Sequence, residues 1–216
     1  MKFLCLILLA SLATTRADLV LQQESINSNL TYTVTLKLHG DKMRMDQKDS
    51  EGRQFSVIAD LITHDSITLM PKEKQFLKHA GKTTNPLTNG IPPTPVATGI
   101  TEKVGGYDTE IYQWSGTNGM VQKMWVAKDY PAYAAIQADL AKVDQFKNTG
   151  SHAAGQPDVS RLPGMVVRTQ TELKGRRVII NLVSAKIEPV SAALFELPAD
   201  YKEWTPPKEP LISIEK

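Results

Sequence analysis

The sequence contains a single cysteine, Cys5, which lies in its first seventeen residues. The rest of the chain therefore has no thiol for a disulfide or a thiolate metal site. The His-Glu-x-x-His and Gly-x-Ser-x-Gly spacings are also absent, and no two of the four histidines stand at helical spacing. These absences argue against a zinc protease helix and a nucleophile elbow. We expect no catalytic residue, no metal and no cofactor; a hydrolase stays open only if histidine and carboxylate groups meet in one cleft.

The chain also lacks an excess of charge. Lys2 and Arg16 are the only charged residues among the first seventeen, so 23 basic and 23 acidic residues remain beyond them. A neutral chain without a basic run offers no footprint for nucleic acid. We therefore expect no nucleic-acid partner.

Residues 1–17 have the pattern of a cleavable signal peptide. Lys2 precedes an almost continuous apolar run from Phe3 to Leu12, and small residues at Thr15 and Ala17 suit a signal peptidase. The run is too short to span a membrane, and no stop-transfer segment follows it. We predict cleavage after Ala17, a periplasmic or secreted protein, and no transmembrane segment after cleavage. The remaining residues suffice for one domain.

Most of the chain alternates between apolar and polar residues. In Thr31–His39, Tyr32, Val34, Leu36 and Leu38 point one way and the polar residues between them point the other, as in a half-buried strand. Short segments of this kind, regularly separated by turns, predict an antiparallel sheet. The further predicted strands are 42–47, 55–59, 66–70, 74–79, 99–104, 107–115, 120–128, 164–173 and 176–187, and residues 18–25 form only a short apolar-polar lead.

One segment changes to a helical period. Tyr133, Ile136, Leu140 and Val143 recur at spacings of three and four and form one apolar stripe. Asp129 is a suitable N-cap, with Pro131 in the first turn. We predict an amphipathic helix over residues 129–148.

Proline is concentrated in two places. Residues 81–98 contain four prolines and are too long for a tight connection, so they form either a mobile loop or a cover over the sheet. Residues 205–216 form a Pro-rich C-terminal tail.

Several motifs, in order, resemble exported bacterial proteins of the LolA/LolB (outer-membrane lipoprotein localisation factor) superfamily. They are Gly40-Asp-Lys-Met-Arg-Met-Asp46, Phe55-Ser-Val-Ile-Ala-Asp60, Leu69-Met-Pro-Lys-Glu-Lys-Gln-Phe76, and Phe195-Glu-Leu-Pro198 with Tyr201. The resemblance is closest to a bacterial domain family of unknown function within that superfamily. It spans nearly the whole chain after the signal.

The resemblance implies a mainly β (α+β) domain over residues 18–204. Its sheet would be a strongly curved antiparallel half-barrel that does not close, with the amphipathic helix over the concave face. In the lipoprotein carriers that face and its helical lid enclose a cavity for acyl chains. In this chain the strand alternation and the helical stripe predict a lining of Val34, Leu36 and Leu38 on the sheet and Tyr133, Ile136, Leu140 and Val143 on the helix.

Two hypotheses of different classes follow. The first is a non-enzymatic cell-envelope protein that binds an acyl chain, a lipid or a lipoprotein between sheet and helix. The second is a ligand-free scaffold or sensor whose helix plugs the sheet and whose surface binds another envelope protein. An open apolar space beneath the helix favours the first hypothesis, and tight packing there favours the second.

Overall fold

The computed structural model describes residues 18–27, 30–81, 93–116, 118–148 and 157–205, with the helix side chains described as far as residue 144. The predicted signal peptide, most of the Pro-rich loop and all but the first residue of the C-terminal tail lie outside these ranges. The strands are β1 Asp18–Asn27, β2 Leu30–His39, β3 Lys42–Asp49, β4 Gln54–Asp60, β5 Ser66–Met70, β6 Gln75–His79, β7 Val96–Val104, β8 Tyr107–Ser115, β9 Val121–Ala127, β10 Met165–Leu173, β11 Arg176–Glu188 and β12 Lys202–Glu203. The helices are α1 Tyr133–Asn148 and two 3-10 turns, Val159–Arg161 and Ala192–Phe195.

The twelve strands form one sheet in the order β12-β6-β5-β4-β3-β2-β1-β11-β10-β9-β8-β7. Neighbouring strands are antiparallel, except that β12 is parallel to β6. The sheet is large, curved and unclosed, which confirms the predicted mainly β fold with a single α-helix. Edge strands β7 and β12 do not pair with each other, so the half-barrel stays open.

Two rows of apolar side chains cross five neighbouring strands on one face of the sheet, which we call the inner face. Partners in each row stand directly opposite one another in the ladders. The first row is Ile187, Leu19, Leu38, Met43 and Ala59, and the second is Ala185, Leu21, Leu36, Met45 and Val57. Cross-strand contacts of this kind stabilise a sheet and fix its register, because a slip of one residue would turn both rows toward the opposite face.

The curvature of the sheet lets one helix cover this face. The main core cluster joins residues from β1 to β4 and β7 to β11 with Ile136 and Val143 of α1. Nine adjacent strands laid flat would extend about 38 Å, whereas a helix is about 10–12 Å wide. Residues of β4 and β7, the first and last of these nine strands, belong to the same cluster as the helix residues because the sheet bends around the helix.

The helix begins four residues later than predicted. Asp129 is in a turn and does not cap α1, and Ala132 has a left-handed φ of 55° that separates this turn from the helix. The reason lies in the buried Tyr130, whose hydroxyl accepts a hydrogen bond from the Ala185 N–H at 3.0 Å. This contact holds the preceding segment against β11, so the helix starts only at Tyr133.

The outer face carries two smaller apolar clusters, one toward each end of the sheet. Met124 and Val126 of β9 pack with Leu162, which lies on the segment 157–164. At the other end, Ile58, Leu69 and Phe76 pack with Phe195 of the C-terminal segment. Since β9 is buried on both faces, its run Met124–Ala127 has no polar alternation.

Three further parts of the prediction need correction. Residues 18–27 form the full central strand β1, although only a short lead was expected from Asp18. The loop expected at 151–161 contains the turn Val159–Arg161, while residues 151–156 lie outside the described ranges. The chain after β11 adds the turn Ala192–Phe195 and the short strand β12. For β1 and β12, pairing with distant strands, which the local pattern does not encode, creates the element.

No helix among the described residues is long and apolar enough to cross a membrane.

We expect Asp60 to make folding stability depend on acid pH. Its carboxylate accepts bonds from the Lys42 ammonium at 2.5 Å and from the Thr63 and Ile62 N–H groups at 2.9 Å. These contacts, the Lys42 bond first, lower the pKa of Asp60 from 3.8 to about 2. Because the pKa is depressed in the folded state, the stabilisation is complete above about pH 4 and is lost as the pH falls toward 2.

Chemical denaturation at pH 2 to 6 measures this effect. Asp60→Asn should flatten the stability curve between pH 4 and 2. Asp108→Asn, at a carboxylate that is 93% exposed, provides the control and should leave the curve unchanged. Equal acid dependence in wild type and Asp60→Asn would refute the assignment.

Candidate functional site: the helix-covered inner face

The structure brings six of the seven predicted lining residues into one apolar cluster. Four of them are buried in the core, and two are half-buried against it. The buried four are Leu36, Leu38, Ile136 and Val143, and the half-buried two are Tyr133 and Leu140. Val34 is half-buried and lies outside this cluster.

The inner side of α1 packs directly on the sheet. Ile136 is 0% exposed and Val143 is 2% exposed, so these two side chains are fully enclosed by protein atoms. Two hydrogen bonds also join the helix to the segment 157–164: the Tyr133 hydroxyl donates to the Leu162 carbonyl at 3.1 Å, and Gln137 Nε2 donates to the Ser160 carbonyl at 2.8 Å. Burial raises the pKa of the Tyr133 hydroxyl, which keeps this donor protonated well into alkaline solution.

The inner face continues beyond this enclosed core as a half-buried strip. Register partners Leu182, Gln23, Val34, Gln47 and Phe55 cross the same five strands as the two apolar rows. We use the name apolar margin for the half-buried apolar residues of this strip and the neighbouring row. They are Val34, Met45, Phe55, Val57, Leu182 and Ala185. The strip therefore combines the accessible apolar surface of the margin with the side-chain amides of Gln23 and Gln47.

Several polar side chains surround Trp125 at another part of the core. The indole Nε1 donates to Glu102 Oε2 at 2.9 Å, and the guanidinium of Arg168 lies over the ring at 5.6 Å. Asn181 Oδ1 fixes that guanidinium by accepting from its Nε at 2.9 Å. The sequence pattern indicated none of these partners of Trp125, because they come from three separate strands. The arrangement orients Trp125 and covers its ring with a cation.

The acidic side chains and histidines of the described residues make separate contacts on different parts of the sheet. Glu110 pairs with Lys128 at 2.9 Å, and this bond lowers the pKa of Glu110. His39 contacts Asp18, whereas His79 contacts the Thr68 hydroxyl on the β5–β6 side of the sheet. No group of three histidine, cysteine or acidic side chains suited to a metal ion occurs in the described part of the chain.

A second concave feature lies at the β10–β11 hairpin. It is an open cleft of about 360 Å³, lined by the hairpin tip and by β1 and β11. The lining residues are Ile26, Gly175, Arg176, Arg177 and Ile179. None of the predicted lining residues lies there.

A large unclosed antiparallel sheet with one helix on its inner face defines the architectural class. The profile of a domain of unknown function, DUF4412, matches residues 19–201, and the chain belongs to this family. This agrees with the expected match to a domain family of unknown function.

A solved structure supports the architecture. An uncharacterized conserved protein from Thermus thermophilus superposes with a TM-score of 0.55 over 88% of this chain and 90% of its own, at 6% identity. At that identity the likeness shows the fold alone. A structure of PNGF-II gives a TM-score of 0.42 at 14% identity, covering 87% of this chain and 31% of its own, and carries no argument. No curated protein matches the sequence.

Proposed function

We propose that this chain is an exported, non-enzymatic cell-envelope protein that binds an acyl chain, as a free lipid or as part of a lipoprotein, on the inner face of its sheet. The signal-like residues 1–17 and the motifs that resemble the LolA/LolB superfamily support export and envelope location. The curved sheet with a helix on one face suits such a ligand. Membership of that superfamily is part of the proposal.

The apolar margin is the observation that carries this proposal. Because Ile136 and Val143 already fill the space beneath the helix, the ligand lies beside α1, along Val34, Met45 and Leu182. Burying a methylene contributes about 0.8 kcal/mol, so the binding free energy increases with the number of acyl-chain methylenes that the margin covers. Gln23 and Gln47 lie between the apolar partners and offer amide groups to the polar end of the ligand.

The enclosed packing of Ile136 and Val143 favours a second candidate. In a ligand-free scaffold or sensor, α1 acts as a permanent plug and the protein binds another envelope protein through its surface. This candidate predicts a bound protein and no bound lipid.

A pair of neighbouring substitutions tests the margin. Val34→Asn places an amide on the inner face, whereas Thr33→Asn places the same amide on the outer face of the same strand, at an exposed position. We expect Val34→Asn to weaken palmitate binding at least about tenfold, since an amide buried against the acyl chain loses its hydration. Isothermal titration of the exported protein with palmitate provides the measurement.

Thr33→Asn should bind palmitate like the wild type, and thermal unfolding confirms that both variants are folded. If wild type does not bind palmitate, or if the two variants bind equally, the margin is not the ligand site. Co-purification of a protein partner without lipid would then favour the scaffold.

A further inference from the structure

The structure contains one buried carboxylate with an incomplete set of hydrogen bonds. Asp18 opens β1 and is only 3% exposed. Its Oδ2 accepts from the Val190 N–H at 2.9 Å and lies 2.9 Å from His39 Nδ1. Its Oδ1 is also buried, and no group of the described chain donates to it. A buried carboxylate oxygen without a hydrogen-bond donor lowers the stability of the fold, because it has lost its hydration.

The surroundings of Asp18 show that its carboxylate has a structural role. The bond to Val190 holds the chain where it leaves β11 toward the C-terminal segment. The His39 ring, which the same oxygen contacts, stacks on Phe195 at 5.8 Å. Phe195 belongs to the outer-face cluster on β4, β5 and β6. Asp18 therefore connects the central strand β1 to the C-terminal segment that covers these strands.

The predicted cleavage site lies immediately before this residue. Hydrolysis of the Ala17–Asp18 peptide bond consumes one water molecule, which leaves a carboxylate on Ala17 and a primary amine on Asp18. The amine takes up a proton to become an ammonium group, with three donors and a positive charge. Only Cα and Cβ separate its nitrogen from the Asp18 carboxyl carbon.

We propose that cleavage after Ala17 by a signal peptidase creates the missing donor: the new α-ammonium group of Asp18 pairs with Oδ1 and completes the buried cluster with His39 and the Val190 N–H. Removal of the signal thus stabilises the fold as well as releasing it from the membrane. The inference rests on the export in the proposed function and is independent of lipid binding.

A one-residue insertion tests this pairing. The full chain is exported from a bacterium, and its N-terminus is read by intact mass. A second chain carries one glycine between Ala17 and Asp18, which leaves the peptidase recognition residues unchanged and moves the amine one residue away from the carboxylate. We expect the insertion to lower the midpoint of thermal unfolding by roughly 3 to 8 °C, the effect of losing a charge-assisted hydrogen bond in a domain of this size. Acylation of the wild-type α-amine by a succinimidyl ester, followed by mass spectrometry, should be about tenfold slower than in the insertion variant.

A double-mutant cycle with Asp18→Asn identifies the partner, because the insertion should cost much less once the carboxylate is gone. If Asp18→Asn does not fold, the acylation rates of the two remaining proteins decide. Retention of residues 1–17 would overturn both this inference and the proposed export. Export with another N-terminus, or equal midpoints and acylation rates with and without the glycine, would overturn the pairing alone.

Discussion

Replacing Ile136 by asparagine is expected to lower the free energy of unfolding by roughly 3 to 6 kcal/mol. Among the side chains of α1 that are described, Ile136 is the most enclosed, at 0% exposure, and its cluster includes residues of strands on both sides of the curved sheet. The substitution removes about 1.5–3 kcal/mol of apolar burial and adds an amide whose polar atoms lose hydration. Urea denaturation followed by circular dichroism measures the loss.

Ala135→Asn supplies the matched control. Ala135 precedes Ile136 in the same helix but is exposed, so the same new residue costs only its lower helix propensity, about 0.7 kcal/mol or less. Similar losses at both positions would show that α1 does not seal the inner face.

Replacing Gly164 by alanine is expected to cost roughly 2 to 4 kcal/mol. A Cβ atom at this position would lie 2.3 Å from the Ala127 carbonyl oxygen and 2.8 Å from the Lys128 Cα, and both of these are backbone atoms that cannot rotate away. Gly164 lies between Leu162, which packs on the outer face, and Met165, which packs on the inner face. The absent side chain lets the chain pass close to the end of β9, so a methyl group would separate the covering segment from the sheet.

Gly52→Ala distinguishes this contact from a general effect of removing glycine. Gly52 has open space around it but a left-handed φ of 85°, which makes alanine unfavourable by about 1–2 kcal/mol. Thermal and urea unfolding of the two variants should therefore differ. A loss at Gly164 no greater than that at Gly52 would contradict the close approach to β9.

Most strands could be predicted from the sequence because a half-buried antiparallel strand alternates along its own length. Segments such as Ser66–Met70 and Tyr107–Ser115 have the predicted boundaries. The sequence pattern predicted only a short lead in place of strand β1, because the C-terminal half of the strand, Gln22 to Asn27, has few apolar residues. Its strand conformation depends on ladders to β2 and β11, and β11 lies about 150 residues or more away in sequence.

The packing of the helix on the sheet was predictable for the same reason. The helical stripe and the strand alternation identified the residues that meet in the core, since each set repeats with a local period. The enclosed packing of Ile136 depends on how strongly the sheet curves, which no short pattern encodes. The Asp18 cluster was also missed, because its partners Val190 and His39 come from distant segments.

Native mass spectrometry of the exported wild-type protein, purified without added lipid, tests the central proposal most directly. The proposal predicts a protein species carrying an added mass that organic extraction identifies as one acyl chain or lipid. It also predicts that this species is strongly depleted in Val34→Asn and retained in Thr33→Asn. Protein that is free of acyl adducts in all three samples, together with a stoichiometric protein partner, would contradict the proposal and identify a scaffold.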